Sequence, residues 1–102
     1  KNSASEQLQA ASCCFLQNLA AIDSDTRRKL VQQGTIKGTE LVLKRTTSTS
    51  AASAACGIVQ NLALDPECLT PILASDIVTE LVGLCTRSYG IEDPTLPLAA
   101  SR

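Results

Sequence analysis

Two Gln-Asn pairs are the most regularly spaced side chains in this sequence that could bind a partner through hydrogen bonds. Residues 15–20 (FLQNLA) return nearly intact as residues 58–63 (IVQNLA), which places Asn18 and Asn61 43 residues apart. A carboxamide both donates and accepts hydrogen bonds, so it can satisfy the N–H and C=O groups of an extended peptide together. The pattern indicates recognition by hydrogen bonding at two equivalent positions.

The residues needed for catalysis are missing from the same sequence. It contains no histidine, no Gly-rich phosphate loop and no Gly-x-Ser-x-Gly segment, and its carboxylates are scattered singly. Cys14 would need a charged neighbour to become a nucleophile, and the residues one helical turn away from it are uncharged. We therefore expect a protein that is not an enzyme and uses no cofactor.

Five cysteines stand at positions 13, 14, 56, 68 and 85. Their number is odd, no two have C-x-x-C spacing, and no histidine is present to complete a mixed zinc site. Cysteine in a helical core behaves as a small hydrophobic residue. The sequence thus predicts reduced, buried thiols without a bound metal, and a reducing compartment, either the cytoplasm or the nucleus.

Charge and hydropathy exclude two classes of partner. Nine basic and ten acidic residues nearly cancel, whereas nucleic-acid binders carry a concentrated positive excess. Arg27-Arg28-Lys29 is the only basic cluster, and we interpret it as a solvated helix face, with a contact for an acidic peptide as the alternative. No apolar run approaches the length of about 18 residues needed to cross a bilayer, so no membrane insertion is expected.

The elements that position the carboxamides are predicted to be helices, which makes the fold class all-α. The sequence is 44% hydrophobic but only 2% aromatic, so its core must consist of small and aliphatic side chains. Apolar residues recur at three- and four-residue steps, and Gly34 suits a left-handed residue just past a helix end. The helices are expected at residues 3–21, 26–33, 35–45, 51–64, 67–74 and 77–87.

These helices form two cycles of long, short and medium length, which we assign to one unit over residues 1–85. The side chains expected to face its core are Leu8, Ala11, Cys13 or Cys14, Phe15, Leu16 and Leu19 in the first helix, Leu30 and Val31 in the second, Ile36, Leu41, Val42 and Leu43 in the third, Ala54, Cys56, Ile58, Val59 and Leu62 in the fourth, and Val78, Leu81, Val82, Leu84 and Cys85 in the sixth. Residues 88–102 are expected to form a loop or tail. They contain an LAAS segment similar to QAAS at residues 9–12, so the start of a further repeat is the alternative.

With its two cycles aligned, the chain resembles armadillo repeats. Gln33-Gly34-Thr35-Ile36 matches the junction before the family's second helix, and the two Asn-Leu-Ala segments match the ends of its long third helix. The resemblance implies a right-handed α-solenoid of about two three-helix repeats, whose third helices line a concave groove. It also implies that Asn18 and Asn61 bond to the backbone of a partner in that groove.

The residue four positions before each asparagine distinguishes between two types of armadillo repeat. Repeats of the importin-alpha type carry tryptophan four residues before the asparagine, whereas this sequence has Cys14 and Gly57 there. A small residue at that position is closer to repeats of the beta-catenin type. The candidate groove residues are therefore Asn18, Asn61, Cys14 and Gly57, with Gln17 and Gln60 at the rim. The alternative interpretation is that the asparagines only bond to the loop that follows them and fix the turn between repeats.

Two functions follow from these patterns. The first is a non-catalytic protein–protein interaction module that binds an extended or helical partner segment in the groove. The alternative is a structural scaffold segment of a larger helical-repeat protein or complex, which contacts neighbouring repeats or subunits without a peptide groove of its own. Because helical repeats bury their core only against neighbours, the apolar first helix predicts another repeat, a partner or self-association on its outer side.

Overall fold

The computed structural model describes residues 4–88, and these residues form six α-helices. The prediction of an all-α class is confirmed. The helices are α1 (Ala4–Ala20), α2 (Ser24–Gln32), α3 (Thr35–Arg45), α4 (Thr49–Leu62), α5 (Pro66–Ala74) and α6 (Ile77–Ser88). The tail expected beyond α6, with its possible further repeat, lies outside the described residues.

Polar side chains at the helix starts explain why two helices begin earlier than predicted. Asp23 Oδ1 accepts a hydrogen bond of 2.8 Å from Thr26 N, so α2 begins at Ser24. Ser48 Oγ accepts a bond of 3.1 Å from Ala51 N, and α4 begins at Thr49. Asp23 is the first residue of its polar run and Ser48 is the third of the run 46–50, and in both cases the prediction placed the helix start at the end of the run or just beyond it.

A glycine separates α2 from α3. Gly34 has a backbone φ of 92°, in the left-handed region that side chains with a Cβ rarely adopt. Gln33 and Gly34 form the connection between α2 and α3, so the chain changes direction there over two residues. This arrangement allows the two helices to follow each other with a very short turn.

Each helix of the first cycle packs against its equivalent in the second: α1 against α4, α2 against α5 and α3 against α6. The two long helices run in the same direction. Near their starts Thr47 Oγ1 donates to Glu6 Oε2 over 2.8 Å, and near their ends Asn61 Nδ2 donates to the backbone oxygen of Gln17 over 2.9 Å. The repeat seen in the sequence therefore corresponds to a repeat in space.

The core centres on α4, which packs against α1, α3 and α5. Ala54, Ala55, Ile58 and Leu62 are buried on this helix. Ile72 and Ile77 bring α5 and α6 to the same core. Small residues on α4 allow its neighbours to approach closely, so that one helix with no aromatic side chain can hold the unit together.

Several predicted core residues are instead exposed. On α1 these are Leu8, Ala11 and Phe15, because within residues 4–88 this helix has a long-helix neighbour on one side only. On α6 they are Val78, Val82 and Cys85, because Ile77, Leu81 and Leu84 form a second apolar stripe that faces the core. The helical spacing predicted an apolar face in each case but did not show which face has a neighbour.

The five cysteines are all free thiols, and they range from buried to exposed, with Cys56 half-buried. Cys13 and Cys68 are buried, and burial raises the pKa of both thiols. The prediction that all the cysteines are buried is wrong for Cys14 and Cys85, which are exposed.

Candidate partner-binding surface

The six predicted groove residues occupy neighbouring positions on α1 and α4, and we call this set the long-helix surface. It consists of Cys14, Gln17 and Asn18 on α1 and Gly57, Gln60 and Asn61 on α4. Cys14, Asn18 and Gln60 are exposed, Gln17 and Asn61 are half-buried, and Gly57 is buried.

Three of these residues meet where the two long helices touch. Asn61 Nδ2 donates a hydrogen bond to the backbone oxygen of Gln17, and the Gln17 side chain lies across Gly57. A Cβ added to Gly57 would collide with that side chain, so the glycine makes room for it. The bond of Asn61 joins α4 to the long helix one cycle earlier, whereas the competing interpretation expected a bond to the following loop.

The hydrogen bond to Gln17 engages only one of the hydrogen-bonding groups of the Asn61 side chain. A carboxamide carries two N–H donors and an oxygen with two lone pairs. One donor bonds to the backbone of α1, so the same side chain has further groups with which to bond to a partner. Asn18, its equivalent on α1, is exposed. The two asparagines of one sequence motif therefore occupy different environments.

The two long helices are almost free of charge. Glu6 is the only charged residue of α1, and α4 has none. Charged residues lie instead on α2, α3, α5 and α6 and at the turns beside them. The long-helix surface therefore presents polar but uncharged groups, which suit hydrogen bonds to a peptide backbone rather than ion pairs with a charged segment.

A partly buried ion pair between the two cycles was not predicted from the sequence. Arg27 is buried, and its Nε donates to Asp65 Oδ2 over 2.5 Å while its Nη1 donates to the backbone oxygen of Ala20 over 2.9 Å. Ser24 Oγ also donates to Asp65 Oδ1 over 2.8 Å. Hydrogen bonds from Arg27 and then from Ser24 hold the pKa of the Asp65 carboxyl below its usual value.

This ion pair corrects the interpretation of the basic cluster as a solvated face. The interpretation is wrong for Arg27, whereas the side chains of Arg28 and Lys29 are exposed. Arg27 and Asp65 are 38 residues apart, and no local pattern links them. The one available signal was the repeat itself, because it places α2 beside the turn that precedes α5.

A second charged link joins α3 to the turn before α6. Lys44 Nζ lies 3.0 Å from Glu40 Oε2 and 2.9 Å from Asp76 Oδ2. These bonds lower the pKa of both carboxyls and raise the pKa of the lysine, with the bond to Asp76 as the larger cause for the lysine. The group joins equivalent helices of the two cycles, and we assign it a structural role.

An open apolar cavity of about 660 Å³ lies beside α1, α2 and α3. Leu8, Leu16, Leu30, Val42 and Ile58 contribute its apolar wall, and no charged side chain lines it. Apart from Cys13, whose pKa burial raises, it contains no side chain that could exchange a proton near neutral pH. The cavity can hold an apolar group but offers no catalytic pair.

Residues 4–88 contain no group of three or more cysteine, aspartate or glutamate residues placed to hold a metal ion. No single helix among them is long and apolar enough to cross a membrane; α5 and α6 reach that length and composition only as a pair, with a bend of 77° between them.

Comparisons of the chain with family models, with curated proteins and with solved structures find no match.

Proposed function

We propose that the chain is part of a right-handed α-solenoid of armadillo type and serves as a non-catalytic protein–protein interaction module. Its partner would be an extended segment held along the long-helix surface. The packing of α1 on α4, α2 on α5 and α3 on α6 supports the solenoid, because each helix contacts the helix one cycle later.

The single observation that carries the proposed function is the uncharged, carboxamide-rich character of the long-helix surface. Asn18 and Gln60 are exposed, and Gln17 and Asn61 are half-buried beside them. Glu6 is the only charged residue on α1 and α4. The surface therefore favours a partner that forms hydrogen bonds through its backbone and has neutral side chains.

The spacing of the helices is compatible with this form of recognition. Packed helices lie about 8–10 Å apart, and an extended peptide rises about 3.3 Å per residue. Equivalent carboxamides on α1 and α4 would therefore bond to every second or third residue of a peptide that crosses both helices. Exposed Cys14 leaves room for a side chain of the partner beside Asn18, because it projects no large group.

Peptide selection tests the proposal. A displayed library of uncharged 12-residue peptides is selected on the wild-type protein, and the affinities of the selected peptides are measured by fluorescence anisotropy. Asn18→Ala should weaken binding about tenfold, since a lost hydrogen bond in a partly desolvated contact costs about 1–1.5 kcal/mol.

Gln32→Ala is the matched control for this experiment, because Gln32 is an exposed carboxamide on α2, away from the long-helix surface. Asn18 is exposed, so its replacement should leave the helix content measured by circular dichroism unchanged. Equal affinity for the Asn18→Ala protein and for the control, or failure to select any peptide, would rule out the groove assignment.

A structural scaffold role is the second candidate function. The bond from Asn61 to the backbone of Gln17 favours it, because this bond joins one cycle to the next and needs no partner. Exposed apolar side chains on α1 favour it as well, since they suit contact with a further helix. For either function we propose the cytoplasm or nucleus as the compartment, on the basis of the odd number of cysteines.

A further inference from the structure

The outer side of α1 is an apolar face, which we call the open α1 face. It consists of Leu8, Ala11, Cys14, Phe15 and Asn18, all exposed, and its two large apolar side chains, Leu8 and Phe15, have 69% and 62% of their surfaces accessible. An exposed face of this composition on a helix is typical of a contact surface.

The second cycle shows what normally covers this face. The equivalent residues of α4, 43 positions later, are Ala51, Ala54, Gly57, Ile58 and Asn61. The first four are buried, Gly57 lies under the Gln17 side chain, and Asn61 bonds to the backbone of Gln17. The position that is open on α1 is therefore occupied on α4 by the preceding long helix.

The opposite end of the molecule carries the complementary half of the same contact. On α1, Cys13 and Gln17 face α4; their equivalents Cys56 and Gln60 lie on the far side of α4, half-buried and exposed. On α3, Glu40 and Leu43 are buried; their equivalents on α6, Val82 and Cys85, are exposed, with 60% of Val82 accessible. In the first cycle these positions contact the second cycle. In the second cycle the equivalent positions lie on the surface, where a further cycle could pack.

We propose that a second copy of this chain covers the open α1 face, in a head-to-tail arrangement that continues the internal packing. In this arrangement α4 of one copy packs on α1 of the next, and α6 of one copy packs on α3 of the next. Asn18 Nδ2 donates to the backbone oxygen of Gln60 in the preceding copy, as Asn61 donates to Gln17 within the chain. The Gln60 side chain turns aside in this contact, because Cys14 has a Cβ where Gly57 leaves room for the Gln17 side chain.

The apolar cavity supplies the second part of this contact. Within the chain, α3 packs against α4 and α6 of the second cycle. The helices equivalent to α4 and α6 in the first cycle are α1 and α3, and the space beside them is the cavity lined by Leu8, Leu16 and Val42. In the head-to-tail arrangement α6 of the preceding copy enters this cavity, and exposed Val82 meets an uncharged, apolar wall.

One polar link of the internal contact is not repeated between copies. The equivalent of Asp65 is Asp23, but the equivalent of Arg27 is Leu69, so no guanidinium faces Asp23 from the preceding copy. Contact between copies is therefore weaker than contact between the cycles of one chain, and it can be strengthened by a designed substitution, Leu69→Arg.

Analytical ultracentrifugation of the full 102-residue chain over a range of concentrations tests the proposal. Because the two faces differ, wild-type protein should associate beyond a dimer as its concentration rises. Phe15→Glu and Val82→Arg each place a charge in the contact and should weaken association at least about tenfold. Mixing these two variants should restore a single 1:1 complex, since each retains one intact face.

Matched controls separate this contact from general surface effects. Thr79→Arg adds the same charge as Val82→Arg to the same helix, at an exposed position equivalent to exposed Lys37, and should leave association unchanged. Leu69→Arg should strengthen association about tenfold, and adding Asp23→Asn should cancel the gain while keeping the cap of α2. Circular dichroism confirms that each variant remains helical.

A wild-type protein that stays monomeric at all concentrations would overturn the proposal, because the two complementary faces would then fail to bind each other. So would a mixture of the two variants that fails to pair, since that result indicates a symmetric contact between identical faces. Val82 and Leu69 lie outside the long-helix surface, so the loss of association in Val82→Arg and its gain in Leu69→Arg are distinguishable from the loss of peptide binding in Asn18→Ala.

Discussion

Phe15 and Ile58 occupy the same position in the two cycles, yet their environments are opposite. Phe15 has 62% of its surface accessible, whereas Ile58 has none. In each long helix the preceding residue is small, and one residue separates this position from the Gln-Asn-Leu-Ala segment that follows. The difference is the helix one cycle earlier, which α4 has and which α1 lacks within the described residues. In a repeated fold, burial depends on the neighbour as much as on the residue.

The same contrast separates the two asparagines. Asn61 has its carboxamide against the backbone of α1, while Asn18 is exposed. One motif therefore supports two roles, a link between cycles and a group available to a partner. Substitutions at equivalent positions can test this division, because each pair provides its own control.

The largest difference is expected between Ile58→Ala and Phe15→Ala. Removing the buried Ile58 side chain leaves a cavity in the core and should lower the free energy of unfolding by about 2–5 kcal/mol. Phe15→Ala should change it by less than about 0.5 kcal/mol in monomeric protein, since an exposed side chain loses few contacts. Urea unfolding followed by circular dichroism at low protein concentration measures both. Equal effects would show that Phe15 is buried in solution.

The second difference concerns Arg27 and its equivalent, Leu69. Arg27→Met leaves Asp65 without its guanidinium partner and should lower the Tm at pH 7 by more than Asn61→Ala does, whereas Leu69→Met should have little effect because Leu69 is partly exposed. The two Tm values are compared by differential scanning calorimetry. A Tm for Arg27→Met equal to that of Leu69→Met would contradict the assigned role.

Acid should reduce the Arg27 effect in a defined direction. The pKa of Asp65 is lowered in the folded protein, so its contribution to stability is fully present above the unfolded pKa of about 4 and is lost as pH falls through the folded pKa. The difference in Tm between wild type and Arg27→Met should therefore be constant from pH 5 to pH 7 and shrink below about pH 4. A difference that grows on acidification would contradict this assignment.

A smaller difference is expected between Asn61→Ala and Asn18→Ala. Loss of the bond to Gln17 should destabilise the fold by about 1 kcal/mol, or about 4–8 °C in Tm for a unit of this size. Asn18→Ala should leave the Tm within about 1–2 °C of wild type, since the side chain is exposed. If Asn18→Ala proves the more destabilising, the division of roles is reversed.

The smallest effect is expected for Gly57→Ala. The added Cβ displaces the Gln17 side chain, whose flexible end can move, while alanine improves helix propensity by about 1 kcal/mol. These terms oppose each other, so the net change should be less than about 1 kcal/mol. In nuclear magnetic resonance spectra the Gln17 side-chain amide signals should nevertheless shift, and unchanged signals would place that side chain elsewhere. Cys14→Ala, at the exposed equivalent position, should leave them unchanged.

Some of these features could be predicted from sequence, because they depend on local patterns. Composition and three- and four-residue spacing were sufficient for the all-α class, since they reflect the periodicity of one helix at a time. The left-handed residue at Gly34 depends on one backbone position and could be predicted for the same reason. Features of this kind need no knowledge of which helix lies next to which.

Other features depend on contacts between the cycles, which the local pattern does not contain. The apolar stripe of α6 with Val78 and Val82 has helical spacing as regular as the stripe with Ile77, and only the position of the core distinguishes them. Arg27 is the first residue of a local basic run, and its burial depends on Asp65 in the next cycle. For the candidate site, sequence could propose the six residues but not the bond between Asn61 and Gln17.

The alanine-rich face of α4 has a consequence for how the molecule opens. Ala51, Ala55, Ile58 and Leu62 are fully shielded from solvent, with neighbouring helices on more than one side of α4. Exchange of the α4 amide protons with deuterium would therefore require most of the molecule to separate, whereas α1 can detach by losing its contacts on one side. We expect the amide protons in the middle of α4 to be the slowest to exchange and to report the global unfolding free energy, with those of α1 exchanging through a smaller, local opening.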